Sequence, residues 1–461
     1  MIALSSRLAL SRIKTNRSGL DVLAVTAFAV TTLLALTVTG GTSMFVDRMA
    51  SPPQALVDVA TLSEYGNRTA REFAETYVYL AAVASAILVV PIFGLGGGAA
   101  RLGASGRARR LASLRLIGMT GGEVVLMSVI ESIVLTLAGA ALGTMLFLLS
   151  LPLWQFVSFQ GQPLSSGEMV GPLWANGAVI VLIVALSGLS TAIGLQRVVI
   201  SPLGVAHRET PKALKFWRVI AFVAAVVAFI VVSRAFNLRE SDAILIATIS
   251  GMLIVILFTV NLIGPWIIQL VARPFTRASS PSTLLASRRL ISQPRDAWRN
   301  ISALAFIGFI AAFVSGIPEV PDDPLTNLQL KDIGTGALVT LVIGLIVAAT
   351  STLINQAAFA VDRADQTVAL SRMGTPRSVL NRARHGQVLL PVTVTFGIVI
   401  PLGFLTMQAM VANTPDLSFE FTRIPVLIGT VIFGLILCLV AASASQPIET
   451  RILTSDYRRN D

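Results

Sequence analysis

RARRLASLRLIGMTGGEVVL, residues 107–126, decides how the rest of the chain is read. It carries Arg107, Arg109, Arg110 and Arg115 and lies between two long apolar runs. Leu111, Leu114 and Gly118 recur at spacings of three and four, which puts them on one helix face. Glycine takes a positive φ without strain, so Gly118 predicts the end of that helix. Just beyond it, Thr120-Gly-Gly-Glu123 has the capping-box form that starts a new one. The stretch therefore predicts a short basic helix, a sharp turn and the start of an apolar helix. A second copy, DRADQTVALSRMGTPRSVL (362–380), follows at a constant offset: Leu114 falls on Leu370 and Gly118 on Gly374. There Thr375-Pro376 predicts the next helix start, with proline at the first helical position.

Around these two stretches the 461-residue chain is 54% hydrophobic and only 13% charged, with a mean hydropathy of +0.79. Soluble domains carry about 25% charged residues. The composition describes a polytopic membrane protein, not a globular enzyme on an anchor. The formal charge of +11 does not point to nucleic acid, because the basic residues sit in short loops between apolar runs. The single cysteine, Cys438, excludes a disulfide within the chain and a zinc cluster. The first apolar run is too long for a signal peptide and reads as a retained first span.

A span needs about 20 predominantly apolar residues. Ten such stretches are expected, at 19–45, 76–100, 123–152, 175–196, 216–236, 243–272, 299–317, 333–360, 387–411 and 424–445. With the N-terminus cytoplasmic, 28 of the 35 Lys and Arg residues fall in cytoplasmic segments and 7 on the outer side. Missing one span would reverse every later loop and destroy that bias. The positive-inside rule thus supports the span count and places both termini in the cytoplasm. Thr69-Ala-Arg-Glu72 is another capping box, so the second span is expected to start outside the bilayer and run inward as one long helix. Trp154, Phe156, Phe159 and Trp174 in the loop at 153–174 are expected at headgroup level. The loop at 317–332 is short and acidic, with Glu319, Asp322, Asp323 and Asp332.

The fold class expected is all-α, with about ten transmembrane helices: two parallel four-helix repeats plus two central helices. The first repeat is assigned to residues 1–205, the central two-span linker to 206–275 and the second repeat to 276–461. LALSRIKTNR (8–17) resembles LASRRLISQPR (285–295), and each precedes the first span of its set. An even number of spans separates equivalent positions. The repeats then share one orientation and are related by an axis along the membrane normal.

Four spans with a basic short helix and a glycine turn between the second and third resemble the FtsX/MacB-like permease family of ABC transporters. The resemblance rests on Leu111–Gly118, on EVVLMSVIESIVLTLAGAALG (123–143) with Glu131 at the acidic position and Gly139 and Gly143 in the small-residue pattern, and on SPLGVAHRE (201–209). In the second copy Gln387 replaces the acid, and Pro391 is expected to interrupt the helix that follows. The ten-span arrangement is similar to bacitracin-type exporter permeases but lacks their large extracytoplasmic domain.

The resemblance implies a non-catalytic permease subunit in a bacterial cytoplasmic membrane, which exports or extracts an amphipathic compound such as an antibiotic, peptide or lipid. No Walker A sequence is present; Gly94, Gly96, Gly97 and Gly98 are not followed by Gly-Lys-Ser/Thr. They are read as helix-packing or hinge residues. The chain would bind no cofactor, and ATP and Mg would belong to two copies of a cytoplasmic ABC ATPase. Leu111, Leu114, Arg115, Gly118, Leu370, Arg372, Met373 and Gly374 are the expected ATPase-coupling residues. The plainer reading is a basic loop on anionic lipid headgroups. Glu131, about 16 Å along the helix from Thr120, and Gln387 are the intramembrane polar candidates. Glu131 serves either in helix packing or as a polar contact between the repeats. His207 and His385, in separate loops, form no metal or acid–base constellation. A non-transporting signal transmitter to a sensor kinase or cell-wall hydrolase is the alternative from another class. An ion-coupled carrier would need midplane charges or broken helices, which are few here.

Overall fold

The computed structural model describes residues 19–62, 70–105, 118–200, 216–235, 243–316, 324–362, 364–411 and 424–443. Each of the ten expected apolar stretches forms a helix. These are α1 (Gly19–Ala50), α3 (Ala70–Ser105), α4 (Gly121–Ser150), α6 (Leu173–Ile200), α7 (Trp217–Ala235), α8 (Ala243–Ala272), α10 (Pro294–Ser315), α11 (Pro324–Asp362), α13 (Arg377–Val411) and α14 (Ile424–Ser443). Among the described residues, seven helices are long and apolar enough to cross a membrane. Those seven make the chain an all-α, multi-pass membrane protein. α7, α10 and α14 carry shorter apolar cores, Trp217–Ser233, Leu304–Phe313 and Leu427–Val440.

Short elements join them. α2 (Gln54–Leu62) follows α1, and α5 (Ser166–Val170) precedes α6. α9 (Pro281–Ser292) and α12 (Ala364–Arg372) precede α10 and α13. A 3-10 turn, Leu151–Phe156, leads into a hairpin of β1 (Ser158–Phe159) and β2 (Gln162–Pro163). Its two-residue turn has φ of 57° at Gln160 and 74° at Gly161, the positive pair of a type I′ turn that matches strand twist.

The helices pack in a regular pattern. α1 lies against α3, α4 and α6, and α6 also touches α3 and α4. In the second set α10 lies against α11, α13 and α14, and α14 also touches α11 and α13. α8 packs on α7, α10 and α3. The two sets meet chiefly where α3 lies along α11. Near the start of both, Tyr77 Oη donates to Asp332 Oδ2 at 2.8 Å. Near their far ends, a Cβ on Gly98 would lie 3.8 Å from Ile354 Cγ2. α3 and α11 therefore run side by side in the same direction. The end at which they begin is called the hairpin end here, and the other the turn end.

Many polar groups inside the bundle are satisfied within helices or between neighbours, since no water is available at membrane depth. The hydroxyls of buried Thr31 and Thr32 donate to Ala27 O and Phe28 O, one turn back. Between α4 and α6, Thr136 donates to Ser187 at 2.7 Å and Thr191 to Ser132 at 2.9 Å, with Ser132 and Ser187 in mutual contact. Such interhelical bonds join apolar helices where burial of apolar surface supplies no drive. Gly139 and Gly143 face α1 so closely that a Cβ on either would strike its backbone.

One expectation is met and two are modified. The second span is one helix of 36 residues, α3, about 54 Å at 1.5 Å per residue; Thr69 lies outside the described residues. Pro391 does not interrupt its helix: α13 continues unbroken through Pro391 and Pro401. A membrane helix tolerates proline where hydroxyls, neighbouring helices and local adjustments take up the freed backbone carbonyl, which for Pro391 is that of Gln387, one turn back. The aromatics of the 153–174 loop divide. Phe156 and Trp174 are 80% and 77% exposed, whereas Phe159 is buried and packs edge-on against Phe45 at 5.3 Å. A tight turn tips Phe159 inward, which no count of aromatics could indicate.

Candidate functional site: two glycine turns and a cavity between the helix sets

At the turn end, α4 starts as the sequence requires. Glu123 N–H donates to Thr120 Oγ1 at 3.4 Å, and Thr120 N–H donates back to the Glu123 carboxylate at 2.9 Å. Gly118, before it, has φ of 104°. Leu111, Leu114 and Arg115 lie outside the described residues.

All of the second copy except Arg363 is described. α12 ends in a Schellman motif: Thr375 N–H donates to Leu370 O at 3.1 Å and Gly374 N–H to Ser371 O at 3.0 Å. Gly374 has φ of 83°, the left-handed conformation this cap demands. Pro376 accepts from Val379 N–H and stands one residue before α13, so the proline caps the helix rather than opening it. Leu370 is half-buried, while Arg372, Gly374 and Met373 are exposed, Met373 by 73%. The turn thus presents an apolar tip beside a cation.

The two intramembrane polar residues are not brought together. Glu131 is buried within the face of α4 that also carries Ser128, Ser132 and Thr136. Gln387 is half-buried on α13, and its amide nitrogen has no hydrogen-bond partner. They occupy different helix sets. His385 is held by Asn381 O and Ser443 Oγ; His207 lies outside the described residues.

At the hairpin end lies a cavity of about 270 Å³, at the lower edge of the roughly 300–1,000 Å³ usual for small-molecule sites. Its wall comes from both sets: α1 and α3 on one side, α10 and α11 on the other, with α8 and the hairpin loop closing it. Six aromatic residues contribute: Phe45, Tyr77, Trp154, Phe159, Phe309 and Phe313. Thr42 and Ser85 add a hydroxyl pair 2.7 Å apart. Among the described residues Asp332 is the one charged residue of the wall.

A polar network closes this end. Arg48, 3% exposed at the last turn of α1, pairs with Glu168 at 3.0 Å and donates to Phe159 O at 2.8 Å and Pro163 O at 3.3 Å. Glu168 is itself the capping residue of α5, accepting from Ser165 N–H. One arginine thereby fixes the hairpin to α1. The hairpin reaches the second set through Gln160 N–H, which donates to Asp332 Oδ2 at 2.7 Å. Buried Asp332 thus takes two neutral donors, Tyr77 and Gln160, on one oxygen.

Sequence reasoning grouped Asp332 with an acidic loop and passed over Arg48, Tyr77, Gln160 and Glu168. Two signals were present: Gln160-Gly161 between β-forming residues, and Ser165-Ser-Gly-Glu168 as a capping box. Among the described residues no cluster of three His, Cys, Asp or Glu side chains could hold a metal ion. In comparisons with known proteins, no family model and no curated protein matches the chain.

Proposed function

We propose that the chain is the permease subunit of an ATP-driven ABC transporter that moves an amphipathic compound, with two copies of a separate ATPase docked at the turn end. The observation that carries this reading is the second glycine turn. A nine-residue helix, α12, is joined by a rigid Schellman cap to α13, and its apolar tip is exposed. Force applied to such a tip moves α13 as a lever. The first copy of the motif, ending at Gly118, leads into α4, the corresponding helix of the other set.

The packing pattern supports two repeats at 1–205 and 276–461, with 206–275 between them. Each set joins its first helix to the other three, and α3 and α11 run parallel, as two like-oriented repeats require. Ten spans follow if α7, α10 and α14 cross as well. The arginine distribution supports a cytoplasmic turn end.

The test is co-purification of the full chain with candidate ATPase subunits, then ATPase stimulation across a compound panel. A complex of one permease with two ATPases is expected. Leu114→Asp with Leu370→Asp is expected to abolish transport and stimulation. Unchanged activity in that variant, or labelling of residues near 110 and 370 from opposite sides of the membrane, overturns the reading. Stimulation by no compound, together with control of a sensor kinase, selects the signalling alternative.

A further inference from the structure

We infer that the cavity at the hairpin end takes a cationic amphiphile, with a single amine or quaternary ammonium on Asp332 and its apolar body among the aromatic side chains. The inference deepens the permease reading by naming the class of cargo.

Charge carries the argument. Among the described residues no Lys, Arg or His belongs to the cavity wall, so an anionic ligand would meet only a carboxylate there. Asp332 is 4% exposed, and a buried carboxylate is costly unless paired. Both of its hydrogen bonds fall on Oδ2 and come from neutral donors. Among the described residues it forms no ion pair, and Oδ1 has no hydrogen-bond partner. Arg48 and Lys331 act on the Asp332 carboxylate only through space: Arg48 makes its ion pair with Glu168, and Lys331 lines a separate cavity. A ligand cation would supply a counter-charge in direct contact without displacing Tyr77 or Gln160.

The rest of the wall agrees with that assignment. Aromatic faces attract cations through their quadrupoles, most strongly where water is excluded. Tyr77 stacks on Phe45 at 5.9 Å, and Phe159 meets Phe45 edge-on, so the rings are held in place before a ligand arrives. Apart from Asp332, the polar side chains of the wall are hydroxyls, with Trp154 supplying one indole N–H.

The experiment uses the full chain in nanodiscs of zwitterionic lipid, without nucleotide or ATPase. Three photoreactive twelve-carbon alkyl diazirines are compared, ending in an amine, an alcohol or a carboxylate. Cross-linked peptides are mapped by mass spectrometry. The amine probe is expected to label peptides of the cavity wall at least about tenfold more than the carboxylate probe, the gain of one charge-assisted contact. Asp332→Asn keeps the oxygen that accepts from Tyr77 and Gln160 and is expected to bring amine labelling down to the alcohol's level. Tyr77→Phe keeps the carboxylate and is expected to retain the amine preference. Equal labelling by the three probes, labelling confined to lipid-facing residues, or an amine preference that survives Asp332→Asn overturns the inference. If Asp332→Asn does not fold, the wild-type ranking and Tyr77→Phe decide. Amine binding without any ATPase partner would leave this site standing and remove the permease reading; ATPase coupling without amine preference would do the reverse.

Discussion

A close approach between two long helices makes the most exposed claim about stability. A Cβ added at Gly143 would stand 2.8 Å from Thr32 Cβ and 3.1 Å from the carbonyl carbon of Ala29, with the Ala29 oxygen nearer still. Ordinary carbon contacts lie at about 3.5–4.0 Å. The obstacle is backbone, which cannot rotate aside, so α1 and α4 must separate by several tenths of an ångström. Overpacking of this kind costs about 1–3 kcal/mol, and the upper end applies because a helix rather than a side chain must move. Alanine in place of glycine returns up to about 1 kcal/mol of helix propensity. Gly143→Ala should therefore destabilise the protein by about 2 kcal/mol. Gly94→Ala, whose Cβ would meet nothing within 4 Å, should stabilise it by up to about 1 kcal/mol. Thermal unfolding of both variants in one detergent, followed by tryptophan fluorescence, gives the comparison. Equal midpoints for the two variants would refute the close packing of α4 on α1.

The other perturbations address the hairpin end and the turns. Arg48→Met removes the pair to Glu168 and the bonds to Phe159 O and Pro163 O. A loss of about 3 kcal/mol is expected, the lower end for breaking a buried pair, because Glu168 is 32% exposed and can regain water. Limited proteolysis between residues 151 and 172 should become faster, and an unchanged digestion rate would count against the network. Gly374→Ala meets no steric obstacle but forces a side chain into the left-handed region, at about 1–2 kcal/mol. Amide exchange at Gly374 and Thr375 should accelerate, while exchange in the middle of α13 stays as it was.

Much of the architecture was legible because it is local. Apolar runs long enough to span a bilayer, the reciprocal Thr120–Glu123 cap and the positive φ at Gly118 and Gly374 follow from neighbouring residues alone. Pro391 misled because the breaking rule is local, whereas in a membrane bundle the helices packed around a proline hold its helix together. α2 was missed because nine residues carry no span-length signal; it is held by burial of Leu56 beside Ala74 and Leu325. The cavity was not legible at all. Tyr77 and Asp332 are 255 residues apart, and neither lies in a motif. Their contact exists because two helices from different sets run together, a tertiary fact that no window of sequence contains.

The hydrogen bonds on Asp332 have a consequence for the resting state. Both cross from one helix set to the other, and a bond to a charged acceptor is worth about 1.5–3 kcal/mol net. Parting the sets at that end forfeits both, about 3–6 kcal/mol, so fewer than roughly one molecule in a hundred stands ajar at equilibrium. Any motion that opens the cavity by parting the two sets must therefore be driven, and the same two bonds draw the sets together again afterwards.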